Sequence, residues 1–357
     1  MPLSKKSTSL AGVLDELTAE GAPELTEHLQ NNDLRCYACG HRCLIREGKR
    51  GICKVRFNEG GRLLVPANYV AALACDPTEK KPFFHALPGS DTLTFGMLGC
   101  DLHCGYCQNW LTSQALRDDA AGTQPQIVSA DRLVALAKAY GASMVGSSYN
   151  EPLITAEWAV EVFRRAKPEG FKTAFISNGN ATPQVLDYLR PWTDCYKIDL
   201  KSMSDRNYRQ LGGVVDNILE TVRMVHERGF WSEIVTLLIP GFNDSEDEIK
   251  RAAAFIAGVS PDIPWHVTAF HQDYHMQDNA NTTAEQLIRA CELGRAAGLR
   301  FVYAGNLPGR VGRYENTYCP TCDELLIERY GYIIKQMKVT REGKCPACAT
   351  GIPGVWA

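Results

Sequence analysis

From residue 92 onward, short apolar runs alternate with longer amphipathic stretches. The runs at 92–98, 143–148, 172–177, 195–200, 233–239 and 266–270 predict buried β-strands, and 300–303 predicts a seventh. The stretches between them carry helix signals. Ser245-Glu-Asp-Glu248 and Thr283-Ala-Glu-Gln286 read as capping boxes. Ser129 and Thr155 read as N-caps ahead of helices over 133–140 and 158–166, and Gly141, Gly170, Gly229 and Gly298 fall where helices should end. Strands alternating with helices at this spacing imply βα units and a parallel sheet. Outside this region, residues 7–30 predict one or two weakly amphipathic surface helices with Leu10, Val13, Leu14 and Leu17 on one face. Residues 325–332 and 333–339 predict a hairpin turning near Gly331.

Each of the first six runs gives way to polar, turn-forming residues. The first strand leads into Gly99-Cys-Asp-Leu-His-Cys-Gly-Tyr-Cys-Gln108, the second into Tyr149-Asn-Glu-Pro152 and the third into Asn178-Gly-Asn180. The fourth ends in Asp199-Leu-Lys201. The fifth and sixth are followed by Pro240-Gly-Phe-Asn-Asp244 and His271-Gln-Asp-Tyr-His275. Polar clusters in register with six strands imply one site at the strands' C-terminal ends. The expected fold is therefore α/β, a partial (β/α)6, TIM-like barrel over residues 91–308.

The loop after the first strand spaces Cys100, Cys104 and Cys107 as C-x3-C-x2-C. Three thiolates on one tight loop can hold three corners of a cubane iron–sulfur cluster, leaving one iron open for a substrate or cofactor. A zinc or electron-transfer site, or three unrelated core thiols, are the competing readings. Two further cysteine groups flank the barrel. Cys36, Cys39, Cys43 and Cys53 form a Gly-rich front loop within an N-terminal module, residues 1–90, and leave zinc and an auxiliary iron–sulfur cluster both open. Cys319-Pro-Thr-Cys322 and Cys345-Pro-Ala-Cys348 predict a zinc ribbon over residues 309–357, with rubredoxin-like iron as the alternative. The Pro-rich segment 75–89 is expected either to lead into the first barrel strand or to line the substrate opening with Glu79, Lys80, Lys81 and His85.

Fourteen cysteines in 357 residues point to metal binding in a reducing, cytoplasmic setting rather than to disulfides. Hydrophobic residues at 45% support a sizeable core. A net charge of −3 without a long basic run argues against nucleic acid as the main partner. No apolar run is long enough to span a membrane, and the start, Met1 to Leu10, lacks a secretory h-region.

With Tyr106 before its third cysteine, the loop resembles that of the radical S-adenosylmethionine (SAM) enzymes, and the strand-end clusters resemble the pyruvate formate-lyase activating enzyme branch. The resemblance implies that the SAM amine is held at Tyr149-Asn-Glu-Pro152, by Glu151, whose carboxylate makes a charge-assisted bond to an ammonium, or by Asn150, which stands where the family has a glycine. It also implies that Ser177 and Asn178 contact the SAM ribose or carboxylate, that Asp199 and Lys201 lie beside SAM, and that His271 matches a histidine of related activators. The front loop ending in Gly51-Ile-Cys-Lys-Val-Arg56, Asp76-Pro-Thr-Glu-Lys-Lys-Pro82 and the paired tail cysteines together resemble the radical SAM member of the AmmeMemoRadiSam system. The implied activity is reductive SAM cleavage at a 4Fe–4S cluster to a 5′-deoxyadenosyl radical that abstracts hydrogen from a protein or small-molecule substrate. A low-potential donor of flavodoxin or ferredoxin type would supply the electron, and the system's other proteins are the expected partners. A non-catalytic multi-metal electron carrier or scaffold is the rival reading, and it leaves the strand-end clusters unexplained.

Overall fold

The computed structural model describes residues 9–357. Residues 1–8, most of the start read as lacking a secretory signal, lie outside the described residues. The apolar runs form the strands of one large sheet. These are β1 (Ala72–Pro77), β2 (Asp91–Gly96), β3 (Met144–Ser147), β4 (Lys172–Ser177), β5 (Cys195–Asp199), β6 (Trp231–Leu238), β7 (Trp265–Ala269) and β8 (Val302–Gly305). The eight lie in the sheet in chain order. Pairings β3–β4, β5–β6, β6–β7 and β7–β8 are parallel. Sequential parallel strands joined through helices make a mostly parallel α/β sheet. The crossovers carry helices α1 (Ala130–Ala139), α2 (Ala156–Ala166), α3 (Pro183–Leu189), α4 (Val215–Glu227), α5 (Glu246–Val259) and α6 (Ala284–Ala296). Ser129, Ser245 and Thr283 accept the expected cap bonds, but only Thr283–Gln286 closes a full capping box. The Glu248 carboxylate accepts instead from Ser202 and the Met203 N–H. Thr155 makes no side-chain cap, because a 3-10 turn at Pro152–Thr155 leads directly into α2.

By contacts the chain groups into two units. The first comprises Met1–Cys75, Leu93–Phe175 and Asn180–Thr193. Its front part is helical over only a short piece of the one or two helices expected across residues 7–30. A six-residue helix, Leu10–Asp15, is followed by Thr18–Glu20, which pairs with Arg62–Pro66, and by Thr26–His28, which pairs with Leu34–Cys36. Gly21 and Pro23 break any continuing helix. The Gly21 N–H bonds the Leu63 carbonyl at 2.7 Å instead. Leu14 and Leu25 are buried, so the segment belongs to the module's core.

The second unit comprises Asp76–Thr92, Ile176–Gly179 and Asp194–Ala357. Its tail is a small antiparallel sheet of Thr317–Tyr318, Leu325–Tyr330 and Ile333–Met337, turning at Gly331 as expected. Segment 76–92 does not line an opening at the C-terminal strand ends. The Phe84 and His85 N–H groups each donate to the Glu233 carboxylate at 2.9 Å, and Glu233 is the third residue of β6. Glu79 and His85 are fully buried, and Lys81 pairs with Asp76 at 2.9 Å. The segment therefore packs at the N-terminal end of its strands, where βα barrels place stability rather than catalysis.

Candidate functional site

In the first unit the cysteine loop and the Tyr149–Pro152 turn are built against each other. Gly96 closes β2, and a Cβ there would lie 2.4 Å from the Ser148 carbonyl, so only glycine admits the turn. Tyr149 adopts φ 67°, and its carbonyl accepts from the Thr112 hydroxyl at 2.8 Å. Asn150 Oδ1 accepts the Met97 N–H at 3.0 Å, and its amide donates to the Glu151 carbonyl at 3.2 Å. The Glu151 N–H reaches the Gly99 carbonyl at 3.3 Å, and its carboxylate accepts the Leu153 N–H at 3.0 Å. Cys104 and Tyr106 are buried, while Cys100 and Cys107 are half-buried. Cys100 Sγ accepts the Leu102 N–H at 3.4 Å, and Cys107 Sγ lies 3.1 Å from the Ser113 hydroxyl. Burial, followed by the charges of Asp101 and Glu151, pushes the Cys100 thiol well above its ordinary range. A bound metal would displace that proton. The donor set suits a cluster with an open position: three thiols on one loop, and a buried carboxylate on the adjoining turn.

The second unit holds the other strand-end residues. Ser177 Oγ accepts the Gly179 N–H at 3.0 Å, and Asn178 is buried. Gly179 has φ 80°, and a Cβ there would stand 2.6 Å from Ile198. Lys197 and Asp199 are two apart on β5 and so share one side, and Lys201 follows two residues past the strand's end. Lys197 Nζ donates to one Asp199 oxygen, and Lys201 Nζ to the other at 3.2 Å. Burial alone would raise Asp199, but the two ammoniums outweigh it and hold the carboxyl at about 2. The sequence reading missed Lys197, although its spacing of two residues from Asp199 was the available signal. His271 lies in the exposed loop after β7, its Nδ1 3.2 Å from the Gln272 carbonyl.

Two further cysteine groups differ in geometry. In the tail, Cys319, Cys322, Cys345 and Cys348 bring all four sulfurs within 4.8 Å of one another. Cys319 and Cys348 sulfurs are 3.5 Å apart, and Cys322 and Cys345 sulfurs 3.7 Å. A single ion bound tetrahedrally at about 2.3 Å sets its sulfurs about 3.8 Å apart, so the tail is shaped for one metal ion. In the front loop Cys36, Cys39 and Cys53 are buried and Cys43 is half-buried. The hairpin of Leu34–Cys36 with Leu44–Ile45 carries Cys36, Cys39 and Cys43, and Cys43 Sγ accepts the Ile52 N–H at 3.5 Å from the turn leading to Cys53. None of the fourteen cysteines is in a disulfide.

The radical SAM superfamily pattern matches residues 95–256. The uncharacterized protein MJ0808 of Methanocaldococcus jannaschii is 34% identical over 329 residues, covering 91% of this chain and 97% of that protein. Pyruvate formate-lyase 1-activating enzyme of Escherichia coli is 28% identical over 174 residues, covering 47% of this chain and 69% of the enzyme. Isethionate sulfite-lyase activating enzyme of Oleidesulfovibrio alaskensis is 23% identical over 274 residues, covering 73% of this chain and 85% of the enzyme. No described helix is long and apolar enough to cross a membrane.

Proposed function

Because the chain belongs to the radical SAM superfamily, we propose that Cys100, Cys104 and Cys107 hold a 4Fe–4S cluster at which SAM is reductively cleaved. When bound, cluster and SAM together supply a 5′-deoxyadenosyl radical, the oxidant that removes hydrogen from a substrate. The observation that carries the reading is the joint construction of the C-x3-C-x2-C loop and the Glu151 turn on Gly96 and Gly99. Glu151 takes the SAM amine as a charge-assisted partner, since the Asn150 amide is already engaged by Met97 and the Glu151 carbonyl. Ser177, Asn178, Asp199 and Lys201 contribute to SAM binding, Lys201 toward the carboxylate, and Tyr106 packs the cluster loop. His271, on the exposed loop after β7, completes the set.

Two of the named relatives are activating enzymes of lyases, which favours a partner protein as hydrogen donor. The motif set further supports membership of the AmmeMemoRadiSam system, with its companion proteins as partners and a flavodoxin- or ferredoxin-type protein as reductant. Fourteen cysteines, eleven of them in three groups, suit metal binding in a reducing, cytoplasmic setting. The test is anaerobic reconstitution, reduction with dithionite in the presence of SAM, and quantitation of 5′-deoxyadenosine. Wild-type protein should form it, and Cys104→Ala should not. Equal yields from both would sink the assignment.

A further inference from the structure

The three cysteine groups divide by spacing, and the division bears on the front group. One ion holds all its thiolates at a single centre. In a cubane each thiolate binds a different iron at a different corner, so the sulfurs stand farther apart. Among the described residues, the tail four form the tight group that a single ion requires. Cys100, Cys104 and Cys107 do not form such a group, and neither do Cys36, Cys39, Cys43 and Cys53. Yet the front four are tied to one another: the Cys36 N–H donates to the Cys43 carbonyl at 3.0 Å, and the Cys43 sulfur accepts the N–H of Ile52, the residue before Cys53, at 3.5 Å. Three are buried. Cys36, with Cys43 packed against it, sits in a core with Leu34, Ala38 and Ile45, while Cys53 packs with Val55 and Ile154.

The front loop also lies directly on the loop of Cys100. A Cβ on Gly99 would lie 3.3 Å from the Cys53 carbonyl and 3.0 Å from Val55. His41 Nε2 is 3.2 Å from the Asp101 carbonyl, Asp101 being the residue after Cys100. Arg117 ties the two loops together, donating to the Ile52 carbonyl at 2.8 Å and to the Leu102 carbonyl at 3.0 Å.

We infer that Cys36, Cys39, Cys43 and Cys53 bind a second four-iron, four-sulfide cluster rather than zinc, seated against the loop that holds the first. The inference rests on the reading of Cys100, Cys104 and Cys107 as cubane ligands. Four protein thiolates leave no open iron, so this cluster does not bind SAM. It places a second one-electron carrier beside the first.

The test reads acid-labile sulfide, which a single tail ion does not contribute. Anaerobically reconstituted full-length protein should hold about eight sulfides per chain, and a variant with Cys100, Cys104 and Cys107 all changed to Ala about four. On reduction, the triple variant should give an EPR signal that SAM does not alter, whereas SAM should alter part of the wild-type signal. Cys36→Ser with Cys53→Ser should lose about four sulfides and keep the SAM-responsive signal. About four sulfides in wild type, none in the triple variant and a second equivalent of zinc would overturn the inference while leaving the SAM reading intact. A wild-type signal indifferent to SAM would instead overturn the SAM reading, and the triple variant's sulfide would still decide the front site.

Discussion

Asn150 and Glu151 occupy one turn and do different work. Asn150 uses its carbonyl oxygen on the Met97 N–H and its amide on the backbone of Glu151, which fixes a turn that Tyr149 enters at positive φ. Glu151 is 2% exposed, and its carboxylate accepts from the Leu153 N–H through one oxygen. Glu151→Gln retains an oxygen for that N–H and removes only the charge. A hydrogen bond to a charged group contributes about 1.5–3 kcal/mol, so the SAM dissociation constant of the reconstituted protein should rise about 10- to 100-fold. Equilibrium dialysis with SAM measures it. If Glu151→Gln bound SAM normally and Asn150→Ala did not, the amine would belong to Asn150. Lys197 makes a related point about what spacing conveys. Its ammonium shares Asp199 with Lys201, so the end of β5 carries two cations around one carboxylate, a surplus of positive charge suited to an anionic group.

At the scale of elements, the N-terminal ends of β6, β7 and β8 share a buried polar network. The Glu233 carboxylate accepts from the Phe84 and His85 N–H groups, from Trp231 Nε1 at 3.0 Å and from His266 Nε2 at 2.6 Å. His85 Nδ1 donates to the Pro353 carbonyl at 2.7 Å, and its Nε2 accepts from Tyr303 at 2.6 Å. Burial is the main cause that drives His85 down to about 4, so the folded ring stays neutral where an unfolded one, near 6.5, would take a proton. Stability is therefore lost as pH falls from about 6.5 toward 4. Burial alone would raise Glu233, but the His266 bond and the neighbouring imidazoles outweigh it and lower it, so its contribution goes as pH falls through that lowered value. His85→Asn should flatten the first decline while costing about 1–3 kcal/mol at pH 7 for hydrogen bonds left unmade. Urea midpoints of both proteins at pH 7, 6 and 5 give the comparison, in which shared metal effects cancel. A parallel decline in both would remove His85 as the cause.

This network also marks the limit of what could be read from the chain. The β4 bounds were legible outright, and β2, β3 and β5 to β8 to within two residues, because apolar runs between caps and glycines are local signals; β1, Ala72–Pro77, was missed, its last residues being read as part of a Pro-rich loop. The tail hairpin and the three cysteine groups were legible for the same reason. Glu233 meets Phe84 and His85 across about 150 positions, and no local pattern announces such a pairing. That is why segment 76–92 read as well for a substrate opening as for the lower end of the strands. The short strands over 18–28 escaped because their three-residue spans alternate too briefly to oppose a helical reading.

At the scale of the molecule, the second unit is assembled from segments far apart in sequence, and its tail holds them together. Phe84 from segment 76–92, Phe301 and Tyr303 from the β8 region, and Cys319, Leu326, Ile327, Val339, Cys345 and Ile352 from the tail form one hydrophobic cluster. Arg329 lies 4.2 Å over the Phe84 ring, and it donates to the Phe84 carbonyl at 2.9 Å and to Thr317 at 2.8 Å. The last residues close the arrangement: the Val355 N–H donates to the His85 carbonyl, and the Leu87 N–H to the Val355 carbonyl, both at 2.7 Å. Two of the four tail cysteines, Cys319 and Cys345, belong to that cluster, whereas Cys322 and Cys348 face solvent. A metal ion bound here would cross-link the Cys319–Cys322 turn to the Cys345–Cys348 turn, and through them the chain end that covers His85. Metal binding at such sites is folding free energy. Cys345→Ser with Cys348→Ser should therefore remove one metal equivalent and leave sulfide content unchanged. Amide exchange should quicken on the order of 10-fold or more, both in the hairpin 325–337 and in segment 83–87, as local opening becomes easier by about 1.4 kcal/mol. Hydrogen–deuterium exchange followed by mass spectrometry resolves both peptides in one experiment. If exchange quickened in the hairpin alone, the tail would be an appendage whose metal serves only itself. Coupled loss at 83–87 would make the tail metal a fastening of the strands' lower ends.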